Sequence, residues 1–286
     1  MPNSSINFVD GFALQSYLQA EEGLIYAANH KYDYWYVDGS IHSDFIDKWN
    51  DERIENLLAA IQTHNVKPIF HGNFKVPLSS DVEILRLCAI DYIKKEIDIC
   101  EKFKCPLIIH GSAVIEPRKI VSVKKLALNN LINSLEILQE YAKLKNVELW
   151  LENLSNYPNY KPFHYIGTTI DEFSYILEKI KISLFLDFGH ANINAPYPAE
   201  DFFTNFHPHI AGISMSNNDG KTDQHLKLED GNMNYQNIVR TIINSKWHGI
   251  VGFETRNANP SKSIQSLQSM TNSVVSEQKN IHGITP

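Results

Sequence analysis

The sequence predicts an α/β fold, a single (β/α)8 barrel that takes in residues 1–286 as one domain. Short apolar runs alternate with longer segments of helical periodicity eight times along the chain. Parallel strands need helical crossovers, and eight such units can close into a packed cylinder. The composition shows no break that would mark a second domain, and 286 residues is an ordinary length for this fold.

The predicted strands are short apolar runs that end at polar or turn-forming residues. They cover residues 6–9, 34–37, 66–70, 106–109, 149–151, 182–186, 210–215 and 250–253. The predicted helices carry apolar residues on one face at helical spacing. They cover 13–28, 51 onward, 81–104, 128–142, 169 onward, 199–206, 235–243 and 260 onward. The alternative fold is an open doubly wound sheet, but no G-x-G-x-x-G follows an early strand to support it.

Composition narrows the classes of function. A hydrophobic content of 43% and a net charge of −7 describe a globular protein whose charge opposes binding to nucleic acid. No apolar run has transmembrane length, and the N-terminus lacks a signal-peptide pattern, so we expect no membrane association. Cys88, Cys100 and Cys105 are odd in number and form no C-x-x-C pair. They indicate reduced packing residues in a cytoplasmic protein.

Polar residues that bind metals or move protons follow the later strands. They are His71, His110, Glu152, Asp187, His190, Asp223, His225 and Glu254. In a barrel the carboxyl ends of the strands converge on one mouth, where imidazoles and carboxylates form a ligand set for Zn²⁺, Mn²⁺ or a similar ion. Four acids there would repel one another without a cation. Each also has an ordinary structural interpretation: Asp187 as a turn cap, His190 bonded to backbone, and Glu254 paired with Arg256.

Three motifs resemble those of the xylose isomerase-like TIM barrel superfamily, which includes sugar phosphate isomerases/epimerases and endonuclease IV. They are Asp187-Phe-Gly-His190, Asp223-Gln-His225 and Phe253-Glu-Thr255. The resemblance to endonuclease IV implies that all eight polar residues are ligands of a multi-zinc centre. The resemblance to the epimerases implies that Glu152, Asp187 and Glu254 bind a single Mn²⁺, Mg²⁺ or similar ion, while the two glutamates move the proton.

One departure from these families lies on the seventh strand, where both place a histidine ligand in a pattern like H-L-x-D. Here Ser214 takes the histidine position and Asn217 the aspartate position. A neutral hydroxyl is a poor zinc ligand beside imidazole. Either Asn217 or a water completes the coordination sphere, or one metal position is weakened or lost.

These features support three hypotheses. The first is an enzyme, a divalent-metal-dependent isomerase or epimerase of a sugar, sugar phosphate or polyol, in which the ion stabilises an enediolate and Glu152 and Glu254 are the acid–base pair. The residues assigned to this small-molecule substrate are His190, Asn153, Tyr157, His164 and Arg256. The second hypothesis is an endonuclease IV-like multi-zinc phosphodiesterase. The third is a degenerate barrel that binds a metal or ligand without turnover. A homo-oligomer is left open.

Overall fold

The computed structural model describes residues 6–115, 119–157 and 163–281, and within them eight parallel strands close into a barrel. In order around the barrel these strands are β1 (Val9–Leu14), β2 (Tyr34–Asp38), β3 (Lys67–His71), β4 (Leu107–His110), β6 (Leu149–Glu152), β8 (Ser183–Asp187), β9 (Ile210–Met215) and β10 (Gly249–Phe253). The strand β1 pairs with both β2 and β10, so the sheet closes on itself. The (β/α)8 barrel is confirmed, and the open-sheet alternative is wrong.

Helices cover the outside of the barrel. They are α1 (Ala20–Asn29), α2 (Asp51–His64), α3 (Glu83–Phe103), α4 (Ile120–Leu144), α5 (Ile170–Lys179), α6 (Phe188–Asn192), α7 (Ala199–Phe206), α8 (Tyr235–Ser245) and α9 (Pro260–Ile281). A buried apolar cluster joins their inner faces to the strands, as where Ile97 of α3 and Leu107 of β4 belong to one core. Across the ranges described above, no helix is long and apolar enough to cross a membrane.

The predicted start of the chain is wrong. Residues 9–14 form β1 and the first helix begins only at Ala20, whereas the sequence predicted a strand over 6–9 and a helix from 13. A strand buried on both faces is a continuous apolar run, and periodicity alone does not separate it from a helix. The error matters for function because it hides Gln15, which directly follows the carboxyl end of β1.

Two short strands missed by the sequence analysis form a separate antiparallel sheet. These are β5 (Ala113–Ile115), just after β4, and β7 (Phe163–Tyr165), in the long connection after β6. In their register Ala113 faces Tyr165 and Val114 faces His164. Both strands follow carboxyl ends of barrel strands, so this small sheet stands on the rim at the mouth.

The interior of the barrel is filled by an apolar layer. Its members come from neighbouring strands and are Ala13, Tyr36, Ile69, Ile108, Trp150 and Phe185. Two glycines make room for the aromatic rings: a Cβ at Gly252 would clash with the Tyr36 hydroxyl, and one at Gly212 would lie 2.7 Å from the Phe185 ring. The barrel is therefore a packed core, and its functional surface is the layer above.

Candidate metal centre

A polar layer stands directly on the apolar layer. On β3, β4, β6 and β8 the residue two places beyond the apolar layer is polar, and alternate side chains on a strand share a face. These residues are His71, His110, Glu152 and Asp187. All four are buried, and Glu254, also buried, follows the end of β10. The barrel thus brings the strand-end residues predicted from the sequence to one level.

Glu152 lies at the centre of this layer, among three imidazoles. Its Oε2 is 3.4 Å from Nε2 of His71 and 3.3 Å from Nε2 of His110, while its Oε1 is 3.4 Å from Nδ1 of His190. The side chain is fully buried, yet neither oxygen has a hydrogen-bond partner among the described residues. Burial would raise the pKa of Glu152, but the attraction of the imidazoles holds it well below its usual range. Glu152 is therefore a carboxylate enclosed by nitrogen ligands.

The spacing around Glu152 fits a bound ion. Two ligand atoms of a tetrahedral zinc lie about 3.3–3.4 Å apart, because each sits about 2.0–2.1 Å from the metal. The Glu152–His71 and Glu152–His110 separations have this value, and the three ligand atoms all lie within 4.8 Å of one another. His71 and His110 line a cavity, so the fourth position of an ion held here would face that cavity. We call His71, His110 and Glu152 the histidine triad.

Asn153 positions two of the predicted ligands. Its side chain donates to the carbonyl of Asp187 at 2.9 Å and accepts from the Asp187 N–H at 2.8 Å. Its own carbonyl is 2.8 Å from Nδ1 of His190. A carbonyl oxygen can only accept, so Nδ1 carries a proton and Nε2 is left to act as a ligand. Asn153 therefore joins β6 to β8 and orients His190, while its predicted contact with substrate stays a prediction.

Asp223 connects the two remaining predicted histidines. Its Oδ2 is 3.3 Å from Nε2 of His190 and 2.9 Å from Nε2 of His225. The shorter separation is that of a charge-assisted hydrogen bond. The pKa values of both histidines are raised, since nearby carboxylates outweigh the opposing effect of burial. These three residues face the cavity beside the histidine triad and form its second polar cluster.

A third group consists of oxygen atoms on β8, β9 and β10. In the strand register Ser214 of β9 lies between Asp187 of β8 and Gly252 of β10. Glu254 follows two residues after Gly252. Asp187 Oδ2, Ser214 Oγ and Glu254 Oε1 are buried, with no hydrogen-bond partner in the part of the chain that the structure describes. Burial raises the pKa of Glu254 to about 7, and the Glu152 and Asp187 carboxylates add to that rise. We call Asp187, Ser214 and Glu254 the oxygen cluster; a cation would relieve its repulsion.

Asn217 does not complete this group, which corrects one of the options offered by the sequence. Its Nδ2 donates to the carbonyl of Leu228 at 2.6 Å, and its Oδ1 accepts from the N–H groups of Asn218 and Met233. The amide is thus used to shape the loop that carries Asp223 and His225. Asp187 and His190 also make the bonds expected for an ordinary structural role: Asp187 Oδ1 caps α6, and His190 bonds to a backbone carbonyl. Asp187 Oδ2 still has no hydrogen-bond partner among the described residues.

Asp38 and Gln15 belong to the site and were missed. Asp38 Oδ1 lies 3.7 Å from Nδ1 of His71, and Gln15 donates to Asp38 Oδ2 at 3.1 Å. Burial would raise the pKa of Asp38, but His71 and Ser40 lower it to about 2. At this distance Asp38 attracts His71 without a hydrogen bond, and an acid behind a histidine that binds a metal would orient its ring. Asp38 ends β2, so the strand-end rule that selected His71, His110 and Glu152 could also have found it.

The cavity above the centre has a volume of about 310 Å³, the size of a small-molecule site. Tyr157 and Tyr165 line one side, with ring centroids 6.1 Å apart. Arg256 lines another side and lies over the Tyr17 ring, with Cζ 5.0 Å from its centroid. The cavity wall here is Tyr165, whereas the predicted His164 is the preceding residue of β7. Tyr160, another aromatic residue of the connection after β6, lies outside the described residues.

Glu96 is a buried acid on α3 that the sequence analysis did not select. It is fully buried, and its Oε1 accepts from the N–H of Asn73 at 3.1 Å. A Cβ at Gly39 or at Gly72 would meet its oxygens at 2.8 and 2.9 Å, so the carboxyl packs behind the loops that follow Asp38 and His71. Burial raises the pKa of Glu96 to about 8.

The raised pKa of Glu96 predicts a pH-dependent stability. Because this pKa exceeds the ordinary 4.5, the contribution of the Glu96 carboxyl to the free energy of unfolding is fully present below pH 4.5. It is lost as the pH rises through about 8. We expect Glu96→Gln to match wild type at pH 5 and to exceed its free energy of unfolding at pH 9, by at most roughly 1.4 kcal/mol per pH unit. Urea unfolding of metal-free protein at pH 5, 7 and 9 measures this. A constant difference across the three values would contradict it.

The comparisons agree with the fold. A family model described as xylose isomerase-like TIM barrel matches residues 24–273. Uncharacterized protein MJ1311 of Methanocaldococcus jannaschii is 23% identical over 236 residues, which cover 80% of this chain and 77% of that protein.

Two solved structures superpose over nearly the whole chain. One is a D-tagatose 3-epimerase-like protein, with a TM-score of 0.81 and 19% identity, covering 93% of this chain and 99% of the other. The second is the IOLI protein with a bound zinc atom, with a TM-score of 0.74 and 17% identity, covering 93% and 98%. At these identities the likeness shows the fold.

Proposed function

Because the chain belongs to the xylose isomerase-like TIM barrel family, we propose that it is a divalent-metal-dependent isomerase or epimerase of a sugar, a sugar phosphate or a related polyol. The observation that carries this proposal is that His71 and His110 of the histidine triad line the same small cavity as the carboxylate of Glu254. The names of the two solved structures, one epimerase-like and the other zinc-bound, support a sugar substrate and a divalent ion.

The two glutamates have different surroundings, which divides their roles. An ion held by the histidine triad would polarise a substrate carbonyl and stabilise the charge that develops on its oxygen. Glu152 is enclosed by imidazoles and does not line the cavity, so it holds the ion. Glu254 lines the cavity and has a pKa of about 7, which suits a group that takes a proton from substrate carbon.

The walls of the cavity suit a polyhydroxylated molecule. Tyr157 and Tyr165 offer ring faces to the C–H side of a sugar, while Ser40 and Ser155 offer hydroxyls to its oxygens. Arg256 is the one permanently charged cation among the described lining residues and would bind a phosphate or a hydroxyl. The chain therefore supplies a basic group, an apolar wall and a proton carrier around the same space.

Solvent exchange tests the proposal. Removal of a proton next to a carbonyl makes that position exchange with solvent, so the enzyme should place deuterium on carbon when it is incubated in D₂O with its substrate. A panel of ketopentoses, ketohexoses, their phosphates and inosose-type polyol ketones, with Zn²⁺, Mn²⁺, Mg²⁺ or Co²⁺, can be followed by proton NMR. Metal-loaded protein that exchanges no member of the panel would contradict the proposal.

A second candidate, hydrolysis of a phosphate ester, is favoured by the second polar cluster. His190, Asp223 and His225 face the same cavity as the histidine triad, and two ions held side by side can activate water and clamp a phosphate. The short Asp223–His225 contact is a hydrogen bond, so this cluster would have to open to take an ion. Arg256 is the one permanently charged cation in the described lining of the cavity, which suits a small phosphate ester better than duplex DNA.

We therefore expect no cleavage of duplex DNA at an abasic site. The net charge of −7 and the lone Arg256 in the described cavity lining give the DNA backbone no cationic surface. The measurement is gel analysis of an abasic-site duplex at low salt with added zinc, with a simple phosphate monoester assayed in parallel. Cleavage that weakens steeply as salt rises would instead establish the endonuclease hypothesis.

A further inference from the structure

Helices α3 and α4 both begin with a segment that the barrel does not cover. In α3 no residue of 83–88 is buried, and burial begins at Ala89. In α4 no residue of 121–126 is buried, and burial begins at Ala127. These helices have 21 and 25 residues, whereas α1 and α5, for comparison, have 10 each. We call residues 82–88 and 121–126 the overhang, because both segments extend past the core.

The overhang is rich in large apolar side chains, although a helical surface that faces solvent is ordinarily polar. The exposed members are Val82, Ile84, Leu85, Leu87, Val121 and Leu126. Their exposure ranges from 47% for Leu87 to 81% for Val121. Grouped apolar side chains of this kind on a protein surface are typical of a protein–protein interface.

The two halves of the overhang, one on α3 and one on α4, lie side by side. Asn130, one turn beyond Leu126, donates from its side chain to the carbonyl of Ser80 at 2.8 Å. Arg86 turns toward α4 of its own chain, with Nη1 3.4 Å from Oγ of Ser134. The apolar side chains of the two halves therefore belong to one surface.

Opposite charges divide between the two halves. Asp81 and Glu83 are exposed acids at the start of α3, while residues 121–126 of α4 include lysines and no acid. The exposed side chains of Glu83 and Lys125 make no ion pair or hydrogen bond within the described part of the chain. A surface with an acidic half and a basic half is complementary to a copy of itself that is turned by a two-fold rotation.

We propose that the overhang is the interface of a homodimer, in which the α3 half of each chain packs on the α4 half of the other about a two-fold axis. The apolar side chains supply the surface that is buried. Glu83 faces Lys125 of the partner subunit, and this pair occurs twice and fixes the orientation. The inference does not depend on the reaction assigned under the proposed function.

The interface would border the mouth of the cavity. Helix α4 packs against β5, whose Ile115 is 74% exposed and pairs with Phe163 of β7. Phe163 contacts Tyr165, with ring centroids 5.0 Å apart, and Tyr165 lines the cavity. A second chain on the overhang would therefore lie beside the small rim sheet and steady one wall of the cavity.

Sedimentation velocity of the full chain over a wide range of concentration tests the dimer. Wild type should have twice the 32.7 kDa mass of one chain and dissociate only on dilution. Ile84→Asp places a charge among the apolar side chains and should raise the Kd of the dimer about thirtyfold or more. Leu144→Asp is the matched control, since it changes an exposed leucine at the other end of α4 and should dimerise as wild type does. Monomeric wild type at every concentration, or unchanged dimerisation of Ile84→Asp, would overturn the proposal.

Charge reversal tests the pairing of the two halves. Glu83→Lys and Lys125→Glu each set like charges opposite one another at both copies of the contact, so each variant alone should dimerise at least about tenfold more weakly. An equal mixture of the two should regain the affinity of wild type, because every contact then joins a lysine to a glutamate.

A fluorescent label on one of the two variants detects the mixed dimer, and thermal unfolding followed by circular dichroism checks that both variants are folded. Both side chains are exposed and without bonds among the described residues, so we expect wild-type stability to within the small effect of a charge at a helix start. Single variants that dimerise as wild type does, or a mixture that associates no more tightly than either variant alone, would overturn the assigned interface.

Discussion

Replacing Glu152 by alanine is expected to empty the histidine triad and to destabilise the metal-free protein by roughly 3–5 kcal/mol, the cost of leaving buried charges unpaired. Glu152 is the carboxylate that His71, His110 and His190 all approach within 3.4 Å. Its pKa is held below the ordinary 4.5, so its stabilising effect is present above pH 4.5 and is lost as pH falls further.

The lowered pKa of Glu152 sets the lower pH limit of this stabilisation, and the histidines set the upper one. The pKa values of His71 and His190 are raised above the ordinary 6.5, so their contribution is full below pH 6.5 and is lost as pH rises through the raised values. The Glu152→Ala deficit should therefore be largest between about pH 4.5 and 6.5. Metal analysis and urea unfolding at several pH values measure both effects. Glu148→Ala removes an exposed acid next to the same strand and is the control. Equal metal content in the two variants would contradict the role of Glu152.

Replacing Glu254 by glutamine is expected to slow deuterium exchange into the substrate by about 10²–10⁴-fold, the usual contribution of a positioned acid–base group. Glutamine preserves the shape of the side chain and cannot take up a proton. The histidine triad does not include residue 254, so its zinc should remain bound. Initial rates and KM from the exchange assay, together with zinc content, separate proton transfer from substrate binding.

The pH profile gives a further check on Glu254. In the wild type the base must be deprotonated, so the exchange rate should rise with pH through the pKa of that carboxyl. Bound cations would lower this pKa from the value of about 7 found for the metal-free site. A Glu254→Asp variant should keep part of the activity and the same rising limb. A glutamine variant as active as wild type would assign the proton transfer to another group.

The sequence predicted the barrel well because its strands and helices have strong, separate periodicities. The helix over 199–206 and the strand over 210–215 match α7 and β9 to the residue. The start of the chain failed where an apolar strand resembles a helix, and with it Gln15 was missed. The short strands β5 and β7 gain their stability by pairing with each other across the rim, a contact that no local pattern encodes.

The candidate site was predictable where one physical rule sufficed. Strand ends in a barrel converge, so the eight polar residues could be grouped without knowing any distance. The roles of individual residues depended on contacts across the sequence. Asn153 hydrogen-bonds to Asp187 and His190, and Asn217 hydrogen-bonds within its own loop. Neither set of bonds can be predicted from one segment of the chain. Glu96 was missed because a lone acid in a helix is ordinarily exposed.

The apolar layer beneath the centre also governs how protons reach it. Tyr36, Ile108, Trp150 and Phe185 fill the barrel below Glu152, so water has no path to the carboxylates from underneath. If Glu254 is the base of the proposed function, a proton that it takes up would leave through the cavity, where a bound sugar would lie. We therefore expect the product of an isomerisation to keep part of the substrate's own hydrogen. A deuterated substrate turned over in ordinary water would then retain a measurable fraction of its label.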